Sequence, residues 1–447
     1  MQETGVDVKI DKGIKTVYPI VCLLTGDNLS LNFIGGFTTS FRANKFCRMC
    51  SSTRENMQEM TEEDPLTLRN NATHYNNIFL NDVKETGVKF KCPFLALPSF
   101  NLINSMNFDP MHDLGEGLCP YVLSLILAKL IEDHPGILSL QIINQRKNLF
   151  DYGMYKSGNI AEDINVDNLN SQYLKMSSCE ILVFNDYLPL IIGDIILDND
   201  ETWKYFLLFR KMTKFSFKPS YSLEDIENFR KLIGEHHATF LILFSTYLKP
   251  KMHFITHYPT AITRNGPLEQ SDTRRQESKH RDVKQYARVN FNRKKLSYSI
   301  AIKEVYKCSF NSFKKYSETE LILSRPRSVK FEELDISNTV DLFPKHQMCT
   351  YSQIGTYNDI KFTIDSCFKI GEQFVKIEFL VNILEFPFAV VKVLTVEVFD
   401  EKIQCFFVNV DDQNASILYN LKELTNFPQT MHQLNNGKLG LVEPQLM

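Results

Sequence analysis

The sequence predicts an α+β chain of more than one domain, and three observations carry that expectation. Apolar side chains recur at helical spacing between residues 118 and 248, and beyond about Pro326 the pattern changes to short alternating runs. A 43% hydrophobic content over 447 residues is enough for two or three separate cores. Third, two pairs of metal-type ligands, Cys47-Arg-Met-Cys50 and His253-Phe-Ile-Thr-His257, stand far apart in the chain. Two thiolates on a tight turn and two imidazoles on one helical face supply the donors of a closed tetrahedral zinc site. Each pair alone has an ordinary reading, as loose thiols or as histidines packed between helices.

From the N-terminus, 17–24 is a nearly continuous apolar run that predicts a buried strand, with Asp27 just past its end. Before it, Asp7 reads as an edge-strand surface residue and Asp11, in Asp-Lys-Gly, as a hairpin turn residue. Residues 57–86, rich in Glu, Asp and Asn, predict a linker over the surface. Helices are expected over 118–132, 137–150, 180–197, 202–212 and 223–248, the last opened by a Ser222/Asp225 capping box. A helix over 272–288 carries Glu277. The ordinary reading of Glu277 is a solvated partner of Arg281, and that of Asp27 a turn residue in Gly-Asp-Asn. Residues 359–364, 373–380, 388–399 and 404–410 predict strands of a small β-barrel or curled sheet that 418–424 closes. Its phenylalanines read as core, and the residues from Gln429 as loosely held.

The net charge of −3 rules out a global basic field. Ten cysteines without a closely spaced framework, behind a polar start, predict a reducing compartment and no signal peptide. The most apolar helical run, 121–131, contains Lys129 and is too short to span a bilayer, so no membrane partner is expected. Positive charge is concentrated instead in Arg274, Arg275, Lys279, Arg281, Lys284, Arg288, Arg293, Lys294 and Lys295, opposed only by Glu277 and Asp282. These cations predict contacts to DNA phosphates. No helix-turn-helix or finger array is evident, so the binding expected is backbone-directed and salt-sensitive.

Four blocks of residues follow one another. They are Leu24-Thr-Gly-Asp27-Asn28 with Gly35-Gly36-Phe37 and Phe46-Cys47-Arg-Met-Cys50; Phe108-Asp109-Pro-Met-His112-Asp113-Leu-Gly-Glu116-Gly117; Lys251-Met-His253-Phe-Ile-Thr-His257-Tyr258-Pro259; and Gly266-Pro267 leading to Gln276-Glu277-Ser-Lys279-His280. In order and spacing, from Asp27 to about Lys295, they resemble the DDE transposases of the CACTA and KDZ kind. More distantly they resemble Transib elements and the catalytic subunit of the V(D)J recombinase. The resemblance implies an RNase H-like core interrupted by a large helical insertion, with one structural zinc on Cys47, Cys50, His253 and His257. It makes Asp27 and Glu277 the second and third catalytic carboxylates. Such carboxylates hold two Mg²⁺ or Mn²⁺ ions about 4 Å apart for in-line phosphoryl displacement.

The same resemblance sets Asp109 and His112 beside the metal ions or DNA. Their ordinary reading is a helix N-cap by Asp109 and a buried, hydrogen-bonded His112, and both readings stay open. The expected layout is partial RNase H-like strands with the Cys pair in 1–56, a mainly helical insertion in 57–250, the His pair and basic helix in 251–324, and a β-rich domain in 325–447. The last would take a protein partner or a second copy of the chain. The family's first catalytic Asp belongs to strands preceding the Asp27 strand, and neither Asp7 nor Asp11 fills its place. The expectation is therefore an N-terminally truncated, nuclear, transposase-derived DNA-binding protein, domesticated or a fragment of a transposable element. Its catalysis would be impaired, and Mg²⁺ or Mn²⁺ would matter only if catalysis persists. Two alternatives remain: an active DDE transposase or nuclease if the missing strands are supplied, and a zinc-stapled interaction scaffold with no DNA role.

Overall fold

The computed structural model describes residues 2–10, 13–291, 293–313, 320–334, 336, 343–344, 346–410, 416–434 and 436–443, so the turn assigned to Asp11 lies outside the described residues. The chain is α+β, with helices dominating the first two thirds and antiparallel sheets the remainder. It divides into two compact units. One comprises Met1–Leu140, Ala161–Asp186 and Ile196–Ser278; the other comprises Gln141–Ile160, Tyr187–Ile195 and Lys279–Met447.

In the first unit, helix Cys119–Asp133 buries Val122, Leu123, Ile126, Leu127 and Leu130, the three- and four-residue spacing of one helical face. Helix Leu223–Phe244 starts with the capping box the sequence predicts, Ser222 and Asp225 each accepting from the other's backbone N–H. Before Cys119 the chain winds as a π-helix over Met111–Leu118. Together these make a helix of 23 residues, Met111–Asp133, longer than the run the sequence suggested. It is long and apolar enough to cross a membrane, but 61% of its most apolar window is buried inside the unit, as in a core helix.

Two expectations for this unit fail. Residues 17–24 do not form a buried strand. Gly13–Val17 pairs with Val6–Ile10 in an exposed two-stranded hairpin, where Asp7 bonds cross-strand to the Thr16 hydroxyl, and only Leu24 makes a bridge, to Met106. Tyr18 and Ile20 stay exposed. An apolar run becomes a buried strand only beside neighbours that satisfy its backbone. Among the described residues none pairs with 18–23, and Pro19 lacks a donor. Residues 57–86 are not a plain surface linker either. They contain helices Asn71–Leu80 and Val83–Thr86 and bury Arg69 and His74.

The second unit is built on antiparallel sheets. Strands Met348–Ser352, Gln373–Ile383 and Phe386–Val393 lie side by side in the largest, and Phe362, Phe368 and Phe374 are core residues, as the sequence implies. The run 388–399 splits into Phe386–Val393 and Thr395–Asp400, in different sheets, on either side of the buried Leu394, whose N–H still donates to the Phe374 carbonyl of the first sheet. Ser416–Asn420 pairs with Phe386–Val393 as an edge strand and closes nothing among the described residues. Among the described residues, the segment from Gln429 is paired into the sheets, contrary to expectation. Gln429–Thr430 pairs with Ser366–Ile370, Leu439–Val442 pairs with Cys405–Asn409, and Leu441 is wholly buried with Phe374 and Val408.

Candidate metal centre

The Cys47–Cys50 turn is shaped locally. Met49 N–H donates to Cys47 Sγ at 3.3 Å, and Cys50 bridges Leu68 in a short antiparallel contact. Arg69, buried, donates Nε–H to the carbonyls of Cys47 (3.2 Å) and Cys50 (2.9 Å), so a residue from the supposed linker braces the turn. The histidines come from helix Pro250–Thr256, which Pro250 opens at a position needing no N–H; His257 is its C-cap before helix Tyr258–Asn265. Donor atoms of Cys47, Cys50, His253 and His257 all lie within 4.8 Å of one another, and all four residues are buried. Cys50 Sγ is 3.3 Å from His253 Nε2, which is 3.2 Å from His257 Nε2. Two thiols and two imidazoles, closed off from water, fit a tetrahedral structural zinc and leave no position for a substrate.

Electrostatics divide the four groups: burial, with Cys50, pushes the Cys47 thiol well above its ordinary value, and burial lowers the His253 imidazole despite Cys50. The Cys47 S–H donates toward Cys50, and this outweighs burial to hold the Cys50 thiol well below its ordinary value; His253 and His257 assist. Burial lowers the His257 imidazole, but Cys50 and Glu63 outweigh it and raise the group to about 9. Glu63 Oε2 meets His257 Nδ1 at 2.5 Å while Thr260 donates to Oε1. A carboxylate on the outer nitrogen fixes the tautomer and turns Nε2 toward the metal position. Sequence reasoning missed Glu63, because Thr-Glu-Glu-Asp-Pro looks like an exposed acidic turn.

A buried polar network ties this centre to the other blocks. Arg48, between the cysteines, donates to Asn28 Oδ1 (2.8 Å) and the Asn107 carbonyl (2.7 Å), and its guanidinium lies 4.2 Å from the Phe108 ring centre. Asn28 donates to Asp113 Oδ1 at 2.5 Å, and the Tyr258 hydroxyl to Asp113 Oδ2 at 3.0 Å. Burial pushes the Asp113 carboxyl up to about 6, against the pull of Arg48 and Lys251.

Next to Asn28 and Asp113 in sequence stand Asp27 and His112, and they belong to a more open cluster. His112 Nε2 lies 3.4 Å from Glu277 Oε1 and 3.7 Å from Glu116 Oε2, with the Glu side chains 44% and 43% exposed. Glu277 thus pairs with His112 and not with Arg281. Asp109, fully buried, does several things at once. It caps Met111 N–H (3.0 Å), accepts from His112 Nδ1, and accepts from the Thr273 N–H and hydroxyl at the start of the Glu277 helix. The Asp109 bond raises the His112 imidazole above its ordinary value despite partial burial, with the charges of Asp109, Glu116 and Glu277 adding. Asp27 caps helix Asn28–Ile34 through the Ser30 N–H (2.7 Å) and hydroxyl (2.9 Å). Burial raises its carboxyl, but those bonds and the charge of His112 hold it below the usual range. Gln276 Nε2 reaches Thr25 Oγ1 at 3.2 Å, a second tie between the Asp27 turn and the Glu277 helix.

Glycines permit two close approaches here. Gly36 has φ +76° with the Phe90 carbonyl where a Cβ would be, and Gly115 abuts Ser178. The basic helix Arg274–Val289 buries no residue. Arg274 is committed to Asp272 (2.6 Å) and to the face of Phe217, while Arg275, Lys279, Arg281, Lys284, Arg288, Arg293, Lys294 and Lys295 are exposed. No family model and no curated protein matches the chain.

Proposed function

We propose that this chain is a transposase-derived, nuclear DNA-binding protein, with an RNase H-like core stapled by one zinc at Cys47, Cys50, His253 and His257. What supports the reading is that Glu277 lies 3.4 Å from His112, while the Asp27 turn is tied to the Glu277 helix through Thr25 and Gln276. Half-open carboxylates are the hard oxygen donors a DDE-type site requires, and Glu116 adds a third beside them. Mg²⁺ or Mn²⁺ there would activate a water or 3′-hydroxyl and stabilise the leaving oxygen. Along the helix, Arg281, Lys284 and Arg288 follow Glu277 on one face, which supports binding to a DNA backbone. The C-terminal sheets are read as a curled, barrel-like module for a protein partner or a second copy.

The test is anisotropy with duplex DNA across a salt series. Binding should weaken linearly in log–log form, and Ala at Arg281, Lys284 and Arg288 should flatten the slope by about 0.9 per cation, whatever the DNA sequence. Mg²⁺-dependent nicking lost in Glu277→Gln would instead mark an active DDE enzyme. Binding that ignores both salt and these cations would sink the DNA reading in favour of an interaction scaffold. Exposed Tyr298, Tyr306 and Phe310 on helix Leu296–Phe313 favour that second reading.

A further inference from the structure

We propose that helix Leu296–Phe313 pairs with the same helix of a second copy of this chain, through Tyr298, Ile302, Val305, Tyr306 and Phe310. The proposal holds whether or not the chain binds DNA or zinc. Among the described residues, neither this helix nor Arg274–Val289 before it buries a side chain. Helices in proteins draw most of their stability from an apolar face packed against something else. The five residues follow one another at steps of three or four, or lie side by side, so they form one continuous strip along the helix. Tyr298, Tyr306 and Phe310 are 66%, 71% and 69% exposed, with Val305 at 59% and Ile302 at 36% between them.

Charge and area indicate the occupant. The strip is uncharged and so are Ala301 and Ser309 beside it, so it offers nothing to a DNA backbone. Lys307 pairs with Asp282 at 2.6 Å, and the Lys303 ammonium lies 5.4 Å from the Tyr286 ring centre. That side of the helix therefore faces Arg274–Val289 in antiparallel order. At about 100° per residue, Tyr298, Ile302 and Val305 fall on the far side from Lys303 and Lys307. Pairing two copies through the far side leaves their basic helices outermost, three helix spacings or roughly 25–30 Å apart. That exceeds the Debye length of about 8 Å, so their like charges are screened. A two-fold contact needs a self-complementary surface, and an uncharged apolar strip is one. Aromatic side chains bury roughly 150–250 Å² each, so the strip exposes on the order of 500 Å². Two strips would bury about 1,000 Å², the lower end for a specific interface, which suits a reversible dimer of about micromolar affinity.

The experiment is sedimentation velocity of the full chain, without DNA, from about 1 to about 100 μM. The wild type should pass from monomer to dimer across that range. Tyr306→Glu and Tyr306→Lys should each raise the dissociation constant at least about tenfold, and an equimolar mixture of the two should recover the dimer, because residues near a two-fold axis meet across it. Tyr298→Ser with Phe310→Ser, free of new charge, should weaken the dimer by a similar factor with the wild-type circular dichroism intact. A wild type that stays monomeric at the highest concentration overturns the proposal. So does a dimer that all these variants keep, which would put the contact elsewhere, such as on the C-terminal sheets. Weakening with no recovery in the mixture overturns the two-fold pairing. A monomer that floats with phosphatidylcholine vesicles, and no longer does so in the double Ser variant, overturns the proposal in favour of a lipid surface. Each of these failures leaves the DNA and zinc readings standing.

Discussion

The four metal-type ligands and the carboxylates around His112 are drawn from the same sequence blocks, yet they are built on opposite terms. Cys47, Cys50, His253 and His257 are each 0% exposed, whereas Glu116 and Glu277 keep nearly half of their side-chain surface in water. The closed group could hold a zinc ion out of reach of water. The open group keeps its carboxylates accessible to solvent. Arg48, Asn28 and Asp113 stand between them, so the closed centre can set the position of the open one.

If that division is right, damage to the closed centre unfolds and damage to the open cluster does not. Structural zinc contributes roughly 10 kcal/mol of binding free energy in small domains, so Cys50→Ser or chelation should abolish the cooperative thermal transition of the first unit. Loss of zinc without loss of that transition would break the comparison. Arg48→Met strands the buried Asp113 carboxyl and should cost about 3–5 kcal/mol, read as a lowered urea midpoint. His237, wholly buried, is pushed down to about 4 from an ordinary 6.5. Between those values the unfolded chain binds a proton that the folded chain refuses. Stability is therefore intact above 6.5 and falls as pH drops toward 4, by up to about 3 kcal/mol; His237→Leu should remove that slope from melts run between neutral and acid pH.

Smaller effects sharpen the contrast. Glu63→Gln should weaken zinc by about ten- to a hundredfold in chelator competition while the fold persists, and an unchanged affinity would deprive Glu63 of its positioning role. Glu277→Gln should alter stability by less than about 0.5 kcal/mol and move the His112 titration down toward its ordinary value, a shift visible by NMR.

The parts of this arrangement that announce themselves in sequence are those with a fixed local spacing. Cys47 and Cys50, His253 and His257, the Ser222 cap and the Leu223–Phe244 helix were all legible, because turn and helix periodicity dictate them. Asp27 and Glu277 could be paired only by resemblance, since nothing in their neighbourhoods says that the Asp27 turn and the Glu277 helix are tied together. Glu63 and Arg69 were hidden by an acidic, Asn-rich setting that mimics a solvated linker. Their partners are His257 and the Cys47–Cys50 carbonyls, and for Glu63 that contact spans most of the first unit's sequence. The apolar run 17–24 misled for the converse reason. Hydrophobicity states a preference for burial, but pairing partners decide whether a strand forms.

The π-wound stretch Met111–Leu118 makes one of these blocks behave as a length gauge. A helix that closes its hydrogen bonds one residue later than an α-helix carries a surplus residue, and that surplus lets His112 and Glu116 look outward while Asp113 looks into the core. Removal of one residue within 111–118 would allow the stretch to relax into α geometry while the helix after it keeps its place, and would take away the winding that divides His112 and Glu116 from Asp113. Such a deletion would dismantle the alignment of the two centres without touching a ligand. The same deletion in the largely exposed Asn71–Leu80 helix would disturb one buried side chain, His74.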